Sequence, residues 1–314
     1  MLRSILVPLD GTLFSERSLP LAREVARASG AEIHLARVHV HRDPDALLSN
    51  SSFQWEGVDL SEYDEKERLE EVDYLHEVEE RLGSNGVEAQ SALLEEGDIT
   101  DQLCEYAKSV DADAIFMTSH ARGGLDRLIR GSVADRVLRD SQLPVVIVHP
   151  VRGERDVRIS PKIGHILVPV DWSDLAGAVF GPVVDLAKTM DARVTLTSVV
   201  TPIVLGPRIV PIEPESVDDD EVRAAEHLEE MAVGLRDKGL DVDVLVVSAN
   251  DPARGIVSVA DSCGADLIAM ATHGFKGVKR TLAGSVADRV LRESPLPVMM
   301  MRPVHRGLGR GPDE

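Results

Sequence analysis

Two short stretches of this 314-residue chain gather the residue types that hold an anion. One runs Thr118-Ser119-His120-Ala121 to Gly131-Ser132, the other Ala271-Thr272-His273-Gly274 to Gly284-Ser285. Each ends where a helical pattern begins. The first free backbone N–H groups of that helix would point at the loop, with the positive end of the helix dipole behind them. Both loops are basic: Arg122, Arg127 and Arg130 oppose only Asp126, while Lys276, Lys279 and Arg280 have no acidic opponent. The chemistry this suits is phosphate binding. The same residues also suit a structural role, because Ser132-x-x-Asp135 and Ser285-x-x-Asp288 have the spacing of a capping box. On the residues alone both readings stay open.

An aspartate follows the first apolar run of each half, Asp10 and Asp171. His120 and His273 occupy equivalent places, yet no Ser or Cys nucleophile motif accompanies them and G-x4-G-K-[ST] is absent. Catalysis is therefore not expected from these residues, and the two histidines read as packing or phosphate-touching groups. His34, His39 and His41 read as surface histidines, and no metal site is expected. Cys104 and Cys263 lack a partner motif and read as small buried side chains in a reducing compartment. Aligning the halves sets Cys104 opposite Val257, outside any repeat.

The elements that must carry these residues come twice. Ile5-Leu-Val-Pro-Leu-Asp10 recurs as Ile166-Leu-Val-Pro-Val-Asp171, and Gly131-Ser-Val-Ala-Asp-Arg-Val-Leu-Arg139 recurs unchanged from Gly284 to Arg292. In each copy five strand-like runs alternate with helical ones: strands at 4–9, 32–40, 87–94, 114–118 and 145–149, then at 166–169, 193–200, 242–247, 267–271 and 298–301. Alternating β and α elements predict two tandem doubly wound parallel-sheet domains of the α/β class, at 1–150 and 163–303. Residues 151–162 read as a linker and 304–314 as a tail. In such sheets ligands bind beyond the carboxyl ends of the strands. Charge narrows the partners: with 54 acidic against 34 basic residues and a net charge of −20, nucleic acid and anionic membrane surfaces are disfavoured. No apolar run reaches the length of a membrane span, and nothing resembles a signal peptide, so a cytoplasmic protein is expected. The apolar closing strands, 145–149 and 298–301, would each leave an open edge. Each such edge invites pairing with another strand.

The I-L-V-P-x-D opening, the histidine loop and the G-S-V-A-D-R-V-L-R helix resemble the universal stress protein family over about 290 residues. The resemblance implies a Rossmann-like, adenine-nucleotide α-hydrolase-like fold with the first and fourth strands side by side. It also implies a stress-response role as a nucleotide-dependent regulator of an unknown protein partner. The family habit of dimerising through the fifth strand implies that the closing strands of the two copies pair with each other in an intramolecular pseudo-dimer, with room for a further homodimer. Nucleotide-binding members carry G-x2-G-x9-G-[ST]; here the copies read Thr118-x2-Ala121-x9-Gly131-Ser132 and Ala271-x2-Gly274-x9-Gly284-Ser285. Carried over, ATP or a related adenine nucleotide, with or without Mg2+, would meet Pro169, Val170, Asp171, Val199, Met270, Gly274, Gly284, Ser285 and Val286 in the second copy. Asp10, Val38, Gly131 and Ser132 would serve in the first. Where a motif glycine needs positive φ, alanine costs about 1–2 kcal/mol, so each loss weakens binding roughly tenfold. The first copy lost two glycines and the second one, which favours the second as the nucleotide site. The competing readings are an interaction module whose sites have decayed and a slow ATP hydrolase.

Overall fold

Runs such as Ile5-Leu6-Val7 and Ile166-Leu167-Val168 are apolar at every position, which suits a strand covered on both faces. All six side chains are fully buried. The computed structural model describes residues 2–40, 60–95, 97–119, 132–149, 162–172, 176–202, 215–271 and 285–302.

The first copy runs β1 (Ser4–Pro8), a 3-10 turn (Ser15–Ser18), α1 (Leu19–Ser29), β2 (Glu32–Val38), α2 (Leu60–Gly83), β3 (Ala89–Leu94), α3 (Ile99–Ser109), β4 (Ala114–Thr118), α4 (Ser132–Asp140) and β5 (Val145–Val148). The second repeats it as β6 (His165–Pro169), a 3-10 turn (Ala176–Val179), α5 (Phe180–Met190), β7 (Arg193–Val200), α6 (Glu215–Arg236), β8 (Val242–Ser248), α7 (Pro252–Cys263), β9 (Leu267–Ala271), α8 (Ser285–Glu293) and β10 (Val298–Met301). One ten-stranded sheet results, in the order β3-β2-β1-β4-β5-β10-β9-β6-β7-β8. Every pairing within a copy is parallel.

At the centre β5 and β10 pair antiparallel, with Val298 opposite Ile147 and Met300 opposite Val145. The expected pseudo-dimer is thus present, and each closing strand covers the edge of the other. The core continues across this seam on both faces. On one, α1, α2, α5 and α6 cover a cluster from Ile5 and Phe116 through Val146 to Met299 and Leu196. On the other, α3, α4, α7 and α8 cover Met117, Ile147, Val298 and Met270. Helices α1 and α5 also touch each other across the divide.

A repeated polar lock sets the neighbours of β1 and β6. Asp113, just before β4, accepts the N–H of Arg3 at 2.6 Å and of Ser4 at 3.2 Å. Asp266, just before β9, accepts those of Gly164 at 2.8 Å and His165 at 3.0 Å. Each carboxylate satisfies two backbone donors at the start of the strand beside it. β4 therefore enters next to β1, and β9 next to β6, in a defined register.

Helix α2 does not bury every apolar residue on its helix-spaced stripe of Leu69, Val72, Leu75 and Val78. Leu75, Val78 and Leu82 are buried, but Leu69 is 57% and Val72 43% exposed, and the carboxylate of Glu71 is buried instead. The polar partners described below draw Glu71 inward and turn Leu69 and Val72 out.

The seam generates a prediction. If a protease site is placed in the segment 151–161 and cut, the halves are expected to co-elute as one particle on size-exclusion chromatography. They should separate only when an acid, as in Val146→Asp, enters the β5–β10 pairing.

Candidate functional site

Helix α1, after β1, lies on one face of the sheet, while α4, after the neighbouring β4, lies on the other. The carboxyl ends of β1 and β4 therefore part to opposite faces, which makes a topological switch point; β6 and β9 repeat it. Ile5 pairs with Ala114 and Ile166 with Leu267, and carrying these registers forward sets Leu9 abreast of Thr118 and Val170 abreast of Ala271. The hydroxyl of Thr118 donates to the Ser15 carbonyl at 3.2 Å, which ties the end of β4 to the turn after β1.

The helices that open at this end are anchored alike in both copies. Asp98 caps α3, accepting from the N–H of Thr100 and Asp101, and binds Arg136 of α4. Asp251 caps α7, accepting from the N–H of Arg254, and receives both terminal nitrogens of Arg289 of α8, at 3.0 and 2.7 Å. The arginine beside each aspartate, then the capping N–H groups, holds its carboxyl below the usual range, although desolvation opposes this. Since α7 starts four residues after β8 ends, this tie brings the first turn of α8 to the carboxyl ends of the strands. There its dipole favours an anion. The repeated arginine of G-S-V-A-D-R is thus a positioning group. Sequence reasoning had its invariance between the copies but not its partner.

In the first copy Asp10 is occupied by its own turn. Its Oδ1 accepts the hydroxyl of Thr12 at 2.6 Å and its N–H at 2.9 Å. Burial pushes this carboxyl up, but the hydrogen bonds from Thr12 and Ser15 outweigh it and leave it below its ordinary value. Gly11 follows with φ +84°, and a β-carbon there would stand 2.1 Å from Nη1 of Arg37. Arg37 cannot simply yield, because Glu71 binds it at 2.7 Å and its guanidinium lies 5.9 Å from the centre of the Tyr74 ring. Glu71 also meets Nδ1 of His39 at 2.7 Å, and Asp64 meets Nε2 at 3.1 Å. Tyr74 donates to Glu16 at 3.1 Å, and Arg81 pairs with the same carboxylate. A partly buried charged network therefore fills the corner beside the first switch point.

The second corner is built from other residues. Registering α6 on α2 through the buried pairs Leu75/Leu228 and Leu82/Leu235 sets Ala224 opposite Glu71 and His227 opposite Tyr74. Strand register sets Ser198 opposite Arg37 and Val199 opposite Val38. Trp172 takes the place of Gly11 and stacks on His227, with ring centroids 5.0 Å apart and planes inclined by 19°. Asp171 is exposed, Pro169 ends β6, Val170 and Met270 are buried, and Val286 is partly buried in α8. Val199 packs against Gly255 of α7, where a β-carbon would meet Val199 Cγ1 at 2.9 Å. Pro169, Val170, Asp171, Val199 and Met270 thus cluster at the ends of β6, β7 and β9, with Val286 in the first turn of α8. Ser285 and Ser132 are the first residues of α8 and α4. Gly131, Gly274, Gly284, His120, His273 and the basic residues of both loops lie outside the described residues.

Two readings of the sequence need correction. His34 and His39 are buried, not surface residues, because strand β2 lies inside the sheet and carboxylates from α2 follow His39 inward; His41 lies outside the described residues. Cys104 and Cys263 are half-buried, and partial burial raises both thiols above their ordinary pKa. Among the described residues no group of three His, Cys, Asp or Glu is arranged to hold a metal ion, and no helix is long and apolar enough to cross a membrane.

A family profile described as the universal stress protein family matches residues 1–149 and 162–302. A universal stress protein of Mycobacterium tuberculosis is 27% identical over 197 residues, 62% of this chain, and the match spans 63% of that relative's length, under two thirds. One of Mycolicibacterium smegmatis is 26% identical over 302 residues, covering 95% of this chain and 97% of its own. Among solved structures, a universal stress protein from Archaeoglobus fulgidus superimposes with a TM-score of 0.68 at 20% identity, covering 96% of this chain and 98% of that one.

The first corner yields two predictions. Gly11→Ala should cost about 1–2 kcal/mol for its backbone conformation, plus the displacement of Arg37. In an Arg37→Ala background only the backbone part should remain, giving a coupling above about 0.5 kcal/mol in a denaturation double-mutant cycle. His39 loses charge stability through burial, but hydrogen bonds and charge from Glu71 and Asp64 raise its pKa above 6.5 overall. Its stabilising contribution is therefore complete below the unfolded value of about 6.5 and disappears as pH rises through the raised one. Urea midpoints measured from pH 6 to about 9 should show this decline in the wild type and lose it in His39→Gln.

Proposed function

The chain belongs to the universal stress protein family, and on that premise we propose that it is an adenine-nucleotide-responsive regulatory protein. Its principal site lies in the second domain, where binding alters association with a protein partner. One observation carries the reading. The motif spacing Ala271-x2-Gly274-x9-Gly284-Ser285 joins the end of β9 to the start of α8, at a switch point lined by Val170, Asp171 and Met270. Phosphates would meet the N–H groups at the start of α8, while the ribose and base would face Asp171 and the end of β7 near Val199. Any Mg2+ would travel with the triphosphate rather than sit in a preformed cage, given the absence of a ligand cluster among the described residues.

The contrast between the corners supports the choice of domain. Beside the first switch point Arg37, Glu71, His39 and Asp64 are already engaged with one another, and Asp10 is bound up in its turn. Beside the second, Ser198 and Ala224 leave a neutral corner. A nucleoside entering the first would have to displace satisfied charges, which costs more than entering a neutral one.

Calorimetric titration tests this directly. Wild-type protein should bind ATP, Gly284→Val should abolish binding, and Gly131→Val should change little. Asp171→Asn should weaken ATP and AMP by similar factors, because the carboxylate faces the nucleoside. Equal loss from Gly131→Val and Gly284→Val would remove the asymmetry, and a loss confined to ATP would move Asp171 to the phosphates.

A further inference from the structure

A single exposed apolar side chain is ordinary, so what marks Trp172 is its place and what supports it. The chain has only two Trp, three Tyr and five Phe, yet Trp172 stands 62% exposed, one residue beyond Asp171 at the mouth of the second switch point. It is not a loose ornament. One face of the ring rests on His227 of α6 at 5.0 Å, nearly parallel to it. Beneath that stack the buried Nε2 of His227 has no hydrogen-bond partner among the described residues. The imidazole lies flat against the indole, with this nitrogen turned away from water. The result is a ring supported on one side, in a corner without formal charge on Ser198 or Ala224. At the corresponding positions of the first copy Gly11 takes the place of Trp172, and Tyr74, in the place of His227, is bound to Glu16 and lies beside Arg37.

We propose that Trp172, backed by His227, is the base-stacking platform of the second site and selects ligands that carry a flat heteroaromatic base. The proposal rests on the nucleotide reading above and adds the residue that recognises the base end. A base laid on an aromatic side chain gains about 1–3 kcal/mol, which corresponds to roughly five- to a hundredfold in affinity. Stacking is tolerant of base identity, since every base has a π face. The platform therefore separates nucleotides from bare polyphosphates more sharply than it separates purines from one another. A ring already held by His227 also loses less freedom on binding than an unsupported one.

The test uses the full chain carrying Trp55→Phe, so that Trp172 is the sole tryptophan, excites at the red edge where tyrosine does not absorb, and titrates ATP, AMP and tripolyphosphate. ATP and AMP are expected to quench the emission, and tripolyphosphate is not. By calorimetry Trp172→Ala should weaken ATP and AMP alike by about tenfold or more, Trp172→Phe should retain most of the affinity, and His227→Ala should fall between. The exposure of Trp172 makes its replacement safe for folding, and unchanged urea midpoints will check that. If Trp172→Ala binds ATP within twofold of wild type, the platform is wrong while the nucleotide reading stands. If the wild type binds neither ATP nor AMP, both fall together.

Discussion

Everything at the candidate sites depends on β1 lying beside β4, and β6 beside β9. Only that adjacency sends α1 and α4 to opposite faces from neighbouring strand ends and opens the crevice between them. The ladder itself is short, and a strand that is apolar at every position carries no alternation with which to resist a slip. The extra specification comes from Asp113 and Asp266, each of which takes two backbone N–H groups from the strand next door. A slip of one residue would strand those donors at about 1–3 kcal/mol each, a larger penalty than the apolar residues could impose for trading one buried place for another.

From that constraint the seam follows. With β4 and β9 each having one free side, β5 and β10 close them, and their antiparallel pairing makes one sheet of two. It also fixes how the sites relate. β5 runs parallel to β4, and β10 to β9, but β5 and β10 run opposite ways. The two switch points therefore open on opposite edges of the sheet, and a single small ligand cannot bridge them. Communication between them has to pass through the shared cores and the contact between α1 and α5.

Much of this was legible in the residues, for reasons that differ from element to element. Duplication announced itself because Gly131–Arg139 and Gly284–Arg292 are identical, and strands such as Ile5-Leu6-Val7 are too apolar for anything but a covered sheet. The pairing of β5 with β10 followed from two short apolar strands that each needed a partner, together with the family resemblance that names this strand as the dimerising edge. What stayed hidden depends on contacts between distant segments. Asp251 could be read as a cap, but its hold on Arg289 spans 38 residues and has no local pattern. Glu71 lies in an acidic helical stretch with no local mark of burial, and its partners Arg37 and His39 come from β2 and the residue just past it. Trp172 belongs to no period at all, and its meaning appears only with His227 behind it.

The two copies thus share a frame and differ in the corner beside it. The locks at Asp113 and Asp266 and the ties at Asp98–Arg136 and Asp251–Arg289 are kept in both, because they hold strands and helices in place whatever is bound. The corner is free of that duty. In one copy it has become a set of mutually satisfied charges that ties α2 to β2. In the other it carries an indole and an imidazole over a neutral floor. A charged network of this kind specifies where a helix sits, since each member loses its partner if the helix shifts. A supported aromatic face specifies little about the helix and leaves a surface for something else to cover. Duplication thus gave one chain two copies of the same place in the fold, one filled by charges that hold the chain together and one that leaves an aromatic face exposed.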